Sequence, residues 1–358
     1  MSRTLHLRYA GQTIWLDVIT RELIQSGRLQ RFIEELHVSG LTSNPTIFDQ
    51  AIRNSTAYDE QIRARAEASP EELFFELALT DLAAAAHLFS LIHQKTTGVD
   101  GWVSLEVSPL LAYDTASTIE QAKRLWTQAG IPNLMIKIPG TPEGLPAIEE
   151  CIFAGVPINV TLLFSPEQYR AAADAYLRGI ERRIEAGLSP AVGSVASLFV
   201  SRWDRAVTGS VPDELRGQLG LAIAKKTYRA YREILSSERY RALVRRGARA
   251  QRLLWASTST KDPALPDTWY VTGLVAPHTI NTLPEETLLA FADHGEVREL
   301  LPTEGGDADA VLAKFAAAGI DVAELATRLQ REGAAAFTAS WNDLMDCLKA
   351  RAIALARA

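Results

Sequence analysis

Short apolar runs alternate with longer segments of helical periodicity along most of the chain. Eight runs have the length and composition of strands: residues 13–18, 37–41, 102–107, 133–138, 157–162, 191–200, 252–256 and 269–272. Between them, residues 117–129, 144–154, 166–186 and 216–236 carry apolar side chains at helical spacing. This alternation predicts a parallel sheet with helical crossovers. Eight strands over this length predict an α/β fold of the (β/α)8 TIM barrel type.

Two helical regions are additional to the eight strand–helix units of a barrel. Residues 53–93 form a long helical stretch between two predicted strands, and residues 321–358 have apolar positions three and four apart. We expect both to form additional helices packed on the barrel, the second as a C-terminal helical segment. No internal repeat, low-complexity tract or Pro/Gly-rich linker is visible, so residues 1–358 are predicted to form a single domain.

Several predicted strands carry a polar or ionisable residue near their carboxyl-terminal end. Asp17, Glu106 and Lys137 each interrupt an otherwise apolar run, and the fifth run carries Asn159 and Thr161. Burying a charge among aliphatic side chains is costly unless the charge is paired or its protonation changes. The carboxyl ends of barrel strands meet at one mouth, where barrel enzymes build their active sites. These residues therefore predict a shared pocket.

The strand pattern alone leaves the roles of these residues open. A buried lysine such as Lys137 is either a nucleophile, deprotonated because its surroundings exclude water, or one half of a structural ion pair with Glu106. Asp17 and Glu106 are likewise either acid–base groups or counter-ions. Asn159 and Thr161 share one face of their strand. That face either orients a polyhydroxy substrate or water inside the barrel, or lies on the surface.

Polar residues also follow other predicted strands. Asn44, followed by Pro45, fits a helix N-cap with proline at the first helical position, and it also lies where the mouth is predicted. Arg202, after the sixth strand, is either a phosphate-binding fork or a surface arginine. Ser257 and Lys261 belong to a hydroxyl-rich turn after the seventh strand, which could cradle a phosphate.

Composition narrows the class of partner. The chain has 358 residues, with 37 Lys or Arg, 43 Asp or Glu and a net charge of -6, and no block of like charge stands out. Nucleic acid and membranes are therefore not expected partners, although a local basic pocket can still hold a phosphate. The apolar stretch around residues 77–92 is interrupted by Asp81 and His87 and predicts a buried or capping helix instead of a membrane span. Without an apolar signal segment, a cytoplasmic location is predicted.

No metal or cofactor is predicted. The six histidines are scattered, and Cys151 and Cys347 lie in no metal-type spacing. His278 would line the mouth if it followed the eighth strand, although a hydrogen-bonded structural role is also open. The sequence has neither a glycine-rich nucleotide fingerprint nor a nucleophile elbow. A lysine with two carboxylates and no cofactor indicates imine chemistry.

Five separated segments resemble the transaldolase family in its longer bacterial form, which belongs to the class I Schiff-base aldolases. The segments are residues 40–48 (GLTSNPTIF), 103–109 (VSLEVSP), 136–144 (IKIPGTPEG), 158–165 (INVTLLFS) and 197–202 (SLFVSR). The resemblance covers roughly the whole chain and implies that Lys137 is the Schiff-base nucleophile. It implies that Glu106 moves protons through a water held by Thr161. It also implies that Asp17 exchanges a proton with the C4 hydroxyl when the C3–C4 bond breaks.

The resemblance further implies the substrate contacts. Asn44, Asn159 and Ser197 would bind the hydroxyls of a dihydroxyacetone unit. Arg202 would bind the substrate phosphate. Ser257 matches a serine of the family's phosphate site, but Ser259 stands where some relatives have arginine, so Lys261 is expected to compensate.

The expected reaction is a step of the pentose phosphate pathway. A ketose phosphate (sedoheptulose 7-phosphate or fructose 6-phosphate) would give dihydroxyacetone to an aldose phosphate (glyceraldehyde 3-phosphate or erythrose 4-phosphate). The alternatives are a fructose-6-phosphate aldolase-type lyase, a transaldolase-like enzyme of a specialised biosynthetic pathway, and a barrel retained only for binding. The expected partners are sugar phosphates alone, with the chain as a monomer or a homodimer.

Overall fold

The computed structural model describes residues 2–357, and its centre is a closed barrel of eight parallel strands in chain order. The strands are β1 Gln12–Leu16, β2 Val38–Leu41, β3 Val103–Glu106, β4 Leu134–Pro139, β5 Ile158–Leu163, β6 Ser194–Phe199, β7 Gln251–Ala256 and β8 Thr279–Leu283. β1 pairs with β8, which closes the ring. The predicted (β/α)8 barrel is confirmed.

Helices surround the barrel and connect its strands. They are α1 Arg3–Tyr9, α2 Arg21–Gln25, α3 Arg28–Glu35, α4 Pro45–Arg53, α5 Asp59–Ala64, α6 Pro70–Lys95, α7 Thr115–Ala129, α8 Gly144–Ala154, α9 Pro166–Glu185, α10 Ser201–Ala206, α11 Leu219–Ser236, α12 Glu238–Arg245, α13 Trp269–Gly273, α14 Glu285–His294, α15 Ala308–Ala317 and α16 Val322–Ala356. Short 3-10 turns occupy Pro109–Leu111 and Asp213–Leu215. The long stretch predicted at residues 53–93 is thus divided among the end of α4, all of α5 and most of α6. The predicted C-terminal helical segment is the single helix α16.

The strands alternate between two buried environments, which explains the polar residues found in apolar runs. In β4, Ile136 and Ile138 face the layer between strands and outer helices, whereas Met135 belongs to the second apolar group inside the barrel. Lys137 shares the inward face of Met135, because side chains two apart on a strand point the same way. The same alternation turns Glu106 inward on β3. Along β4 the inward face therefore changes from the apolar Met135 to the ionisable Lys137 toward the carboxyl-terminal end of the strand.

The predicted position of the eighth strand is wrong. Residues 269–272 belong to α13, and the barrel closes with β8, ten residues later in the chain. The aromatic and β-branched residues at 269–272 suit a strand by composition, but they pack as a helix on the outside of the barrel. β8 carries the buried polar residues Asn281 and Thr282 beside Ile280, so it lacked the apolar run that marks a strand. The sixth strand also begins at Ser194, three residues later than predicted.

This correction moves His278 to the opposite end of the barrel. His278 directly precedes β8 and has a positive φ of 64°. Its backbone N–H donates to the Gly11 carbonyl at 2.8 Å, and its carbonyl accepts from the Tyr231 hydroxyl at 2.9 Å. His278 therefore has a structural place beneath the barrel and does not line the mouth.

Helix α6 is the buried helix that the apolar stretch predicted, although it is longer than that stretch. Within residues 2–357 it alone is long and apolar enough to cross a membrane by length and composition. Its residues Phe74, Leu82 and Phe89 are buried in the barrel's outer core. A core helix of a folded domain passes the same test, so α6 is a packing element here.

Helix α16 runs from the barrel mouth along the outside of the molecule. Gln330, near its start, donates from Nε2 to the carbonyls of Gly140 at 2.9 Å and Leu162 at 3.0 Å. Further along, Trp341 packs against the rings of Phe74 and Phe75 on α6, with centroids 5.1 Å and 5.8 Å away. The helix thus connects the carboxyl-terminal ends of β4 and β5 to the outer helices.

Candidate active site

The strand register brings three of the predicted site residues side by side. Glu106 pairs with Lys137 between β3 and β4, and Lys137 pairs with Asn159 between β4 and β5. Thr161 lies two residues beyond Asn159, opposite Pro139. Asp17 directly follows β1. Because all strands are parallel, these positions lie together at the carboxyl-terminal mouth.

Lys137 is held in a small polar pocket that is almost closed to solvent. The side chain of the lysine is 7% exposed, and its Nζ lies 3.1 Å from Oε2 of Glu106, which is 3% exposed. Nζ also donates to the carbonyl of Ser43 at 3.1 Å. The Ser43 hydroxyl in turn donates to the Ser104 carbonyl at 2.8 Å, which fixes the loop after β2 against β3. The amine is therefore positioned by protein groups on two sides.

Glu106 and Thr161 retain unused hydrogen-bonding capacity inside this pocket. Among residues 2–357, the Glu106 Oε1 and the Thr161 Oγ1 are buried without a hydrogen-bond partner. Burial raises the pKa of the Glu106 carboxyl, and the nearby Lys137 ammonium opposes that rise. Buried polar groups of this kind are suited to holding an ordered water or a substrate hydroxyl.

Asp17 is held by a chain of hydroxyls that the sequence did not single out. The Thr42 Oγ1 donates to Oδ1 of Asp17 at 2.7 Å and lies 2.6 Å from the Thr282 Oγ1. Burial raises the pKa of Asp17, while Lys137 and the Thr42 hydroxyl act in the opposite direction. Thr282 escaped prediction because β8 was assigned elsewhere. A site with Asp17 and Glu106 near one lysine can hold one carboxyl protonated and the other ionised.

The three predicted hydroxyl-binding residues are all polar groups of the mouth or the interior. Asn44 is the N-cap of α4, and its side-chain oxygen accepts from the Ile47 N–H at 3.1 Å, so the capping prediction is confirmed. Asn159 is fully buried. Its Oδ1 accepts from the Ser197 hydroxyl at 2.7 Å, and its Nδ2 donates to the Ser104 hydroxyl at 3.3 Å. Asn159 on β5 therefore links β6, its neighbour, to β3, which lies on the other side of β4.

The predicted phosphate residues occupy the β6 and β7 side of the mouth. The Arg202 guanidinium lies 5.0 Å from the centroid of the Phe199 ring, and burial lowers its pKa. Ser257 has a positive φ of 56°, and its hydroxyl lies 2.9 Å from that of Ser201, the neighbour of Arg202. Lys261, by contrast, is 61% exposed and pairs with Glu286 at 3.2 Å. Arg202 and Ser257 are thus held near each other, and Lys261 extends over the surface.

An aromatic side chain from α16 completes this region and was missed by the sequence analysis. The Phe337 ring centroid lies 5.6 Å from the Lys137 Nζ and 5.8 Å from the Arg202 guanidinium. Phe337 is only 6% exposed. The helical periodicity of residues 321–358 predicts that this helix has a buried face. It does not show that the buried face reaches the barrel mouth.

A cavity of about 410 Å³ reaches the site beside Asp17. It is lined by Thr20 and Arg21 around the start of α2, by Gln50 of α4 and by Glu285 of α14. In the part of the chain that the structure describes, this cavity included, no cluster of three or more His, Cys, Asp or Glu side chains could hold a metal ion.

The fold and this site define a class of protein, a (β/α)8 barrel whose carboxyl-terminal mouth holds a buried amine near two buried carboxyl groups. A model of the family described as transaldolase/fructose-6-phosphate aldolase matches residues 14–348. The chain is 45% identical to a transaldolase of Acidothermus cellulolyticus, over 94% of each chain. It is 46% identical to a transaldolase of Thermobifida fusca, over 94% of this chain and 95% of that one. It is also 43% identical to a transaldolase of Mycobacterium marinum, over 98% of this chain and 97% of that one.

The chain belongs to the transaldolase/fructose-6-phosphate aldolase family, because the family model and these relatives each span nearly all of it. The resemblance found in the sequence segments is therefore confirmed.

Proposed function

We propose that this protein is a transaldolase that transfers a dihydroxyacetone unit through a Schiff base on Lys137. The observation that carries the proposal is the buried Lys137 amine, 3.1 Å from the Glu106 carboxylate on the adjacent strand of the barrel. Schiff-base formation is characteristic of the family to which the chain belongs. The donor is a ketose phosphate, sedoheptulose 7-phosphate or fructose 6-phosphate. The acceptor is glyceraldehyde 3-phosphate or erythrose 4-phosphate.

In the first half of the reaction, the Lys137 nitrogen attacks the C2 ketone and forms a carbinolamine. Glu106, acting through a water that the Thr161 hydroxyl holds, supplies the proton that lets the C2 hydroxyl leave as water. Their unpartnered oxygens support this role. The product is an iminium ion at C2.

In the second half, Asp17 takes the proton of the C4 hydroxyl and the C3–C4 bond breaks. The bonding electrons move into the iminium, which becomes an enamine, and the aldose phosphate leaves. The acceptor aldehyde is then attacked by C3, with Asp17 returning its proton to the new hydroxyl. Hydrolysis of the resulting imine frees Lys137. The hydrogen bond from Thr42 to Asp17 at 2.7 Å supports a fixed orientation for this carboxyl.

The remaining residues bind the substrate. Asn44, Asn159 and Ser197 bind the dihydroxyacetone hydroxyls, and the two buried ones already form a hydrogen-bonded pair that a substrate hydroxyl can join. Arg202 and Ser257 bind the phosphate. Lys261 contributes to phosphate binding at the rim of the mouth. Exchanging its ion pair with Glu286 for one with the phosphate costs little free energy, because Lys261 and Glu286 are both exposed. A Lys261→Ala variant with unchanged KM would remove this part of the proposal.

The proposal extends to the biological setting. The reaction belongs to the pentose phosphate pathway and to carbohydrate metabolism, in the cytoplasm, with sugar phosphates as the only small-molecule partners. The family description also covers aldolases that release free dihydroxyacetone. Product analysis with and without an acceptor aldehyde separates transfer from release.

The deciding experiment is borohydride trapping with fructose 6-phosphate, followed by peptide mass spectrometry. We expect a three-carbon adduct on Lys137, because borohydride reduces the imine to a stable amine. The Lys137→Met variant is the matched control and should carry no adduct. A folded wild-type protein without an adduct from any ketose phosphate would contradict the proposal.

A further inference from the structure

Arg202 lies near two aromatic rings that come from distant parts of the chain. Its guanidinium is 5.0 Å from the ring centroid of Phe199, at the end of β6, and 5.8 Å from that of Phe337, on α16. Among residues 2–357, this guanidinium has no ion pair with a carboxylate within 4 Å. The two rings hold the arginine in place by stacking and cation–π attraction, while its N–H groups stay available for an anion.

The same Phe337 ring reaches the reacting nitrogen. Its centroid lies 5.6 Å from the Lys137 Nζ, and the lysine as a whole is 5% exposed. One apolar side chain thus borders both the imine position and the phosphate position. A side chain with this placement excludes water from the space between them.

The position of Phe337 is fixed by the turn of α16 that precedes it. The Gln330 amide donates to the carbonyls of Gly140, the residue directly after β4, and Leu162, near the end of β5. Gly333 allows the helix to approach closely, since a Cβ there would lie 2.9 Å from the Leu162 Cδ2 and 3.1 Å from an Arg202 nitrogen. The approach of the helix therefore depends on the absence of a side chain at residue 333.

We propose that Phe337 is a positioning residue that protects the Lys137 enamine from water and orients Arg202 for the substrate phosphate. This inference rests on the proposed transaldolase function. Transfer requires the enamine to wait for an aldehyde. If water reaches it first, a proton adds to C3, water adds to C2 of the resulting iminium, and the C2–N bond breaks. That route releases free dihydroxyacetone and the lysine amine, and it returns the proton.

The test compares Phe337→Ala and Phe337→Leu with a control on the same helix, Leu344→Ala. Leu344 is fully buried in the outer core, two turns beyond Phe337. Two quantities are measured in each folded variant: the binding of inorganic phosphate, and the ratio of free dihydroxyacetone released to sugar transferred. Thermal unfolding reports the stability of each variant.

For Phe337→Ala we expect about three- to tenfold weaker phosphate binding, because Arg202 loses one cation–π partner. We also expect a severalfold higher ratio of dihydroxyacetone released to sugar transferred. Phe337→Leu should weaken phosphate binding similarly, because it lacks a ring, and raise the release ratio less, because it keeps apolar bulk. Leu344→Ala should lower the unfolding temperature and leave both quantities at wild-type values.

Wild-type phosphate binding and a wild-type release ratio in Phe337→Ala would overturn the inference. Equal changes in Leu344→Ala would also overturn it, because helix docking in general would then be responsible. A wild-type protein that traps no adduct on Lys137 refutes the proposed function separately. In that case the phosphate measurement still decides whether Phe337 shapes an anion site.

Discussion

At the scale of the residue, the site combines one ammonium with two carboxylates in a pocket with little solvent. Burial raises the pKa values of both Asp17 and Glu106, and the charge of Asp17 adds to the rise in the pKa of Glu106. The Glu106 oxygen lies 3.1 Å from the lysine, whereas the Asp17 oxygen accepts from Thr42. The two carboxyl groups therefore have different partners, which is what separate proton-transfer roles require.

The Glu106→Gln variant distinguishes the two roles that the sequence left open for Glu106, acid–base catalysis and pairing as a counter-ion. The amide keeps the shape of the side chain but cannot carry a proton, so we expect imine formation to slow by about 10²- to 10⁴-fold. The measurement is the rate at which the borohydride-trapped adduct appears, with inorganic phosphate binding as the control that should stay unchanged. A rate within threefold of wild type would make Glu106 a counter-ion only.

Asp17→Asn should abolish most C3–C4 cleavage and yet stabilise the protein at neutral pH. Because the pKa of Asp17 is higher in the folded protein than its usual value of 3.8, ionising this group costs folding free energy as pH rises through the folded pKa. Asparagine removes that cost and still accepts from Thr42. The expected gain in unfolding temperature is present at pH 8 and vanishes well below pH 3.8, where the carboxyl is protonated in both the folded and the unfolded state. A gain independent of pH would contradict the explanation.

At the scale of the element, the mouth is assembled by a bulge and a helix. Leu162, at the end of β5, has a positive φ of 59°, and the pairing of β5 with β6 shifts register between Val160 and Leu163. Leu162 consequently joins the apolar group under α16, although Val160 and Leu163 face the outer layer. A leucine in this backbone region is strained, and such strain persists only where the surroundings enforce it. The Gln330 amide on the Leu162 carbonyl is one such contact.

Gln330→Met keeps the length of this side chain and removes its donors. The Gly140 carbonyl then loses its hydrogen bond from α16 in a buried place, which costs about 1–3 kcal/mol of unfolding free energy. Urea unfolding measures this loss. The matched control is Arg331→Met on the exposed side of the helix, which should change stability by less than about 0.5 kcal/mol. Equal effects from the two variants would show that the amide contact does not hold the mouth.

Much of this arrangement could be predicted from the sequence, because strand periodicity fixes which residues share a face. Glu106 and Lys137 interrupt apolar runs, and the parallel barrel then makes them neighbours. The eighth strand could not be found in the same way, since Asn281 and Thr282 are polar and buried together. Phe337 could not be found either. The apolar pattern of a helix shows a buried face, but which surface covers that face depends on the path of the whole chain.

At the scale of the whole molecule, the C-terminal helix is part of the core and not an attachment to it. Trp341 packs edge-on against Phe74 of α6, and Arg351 pairs with Asp59 of α5 at 2.6 Å. The Thr46 hydroxyl of α4 donates to the Ser340 hydroxyl at 2.8 Å. These contacts support the prediction that residues 1–358 form a single domain.

A single domain should unfold in one cooperative transition, and Trp341→Ala tests this. Removing the buried indole should cost about 3–5 kcal/mol and lower the midpoint of the entire transition. Scanning calorimetry measures the midpoint and shows whether there is one transition. Near- and far-ultraviolet circular dichroism follow the loss of tertiary packing and of helix over the same temperatures. A separate early transition in the variant would mean that α16 unfolds on its own, as a second unit.

The place of α16 in the chain has a consequence for how the protein is made. All eight strands precede this helix, so on the ribosome the lysine strand and its neighbours emerge well before Phe337. Domains fold as the ribosome synthesises the chain, at about 5–20 residues per second. A chain halted after β8 therefore contains the Lys137 amine but not the Phe337 ring. Completion of the protected site is thereby tied to completion of synthesis, and truncated products lack the aromatic partner that Arg202 has in the finished molecule.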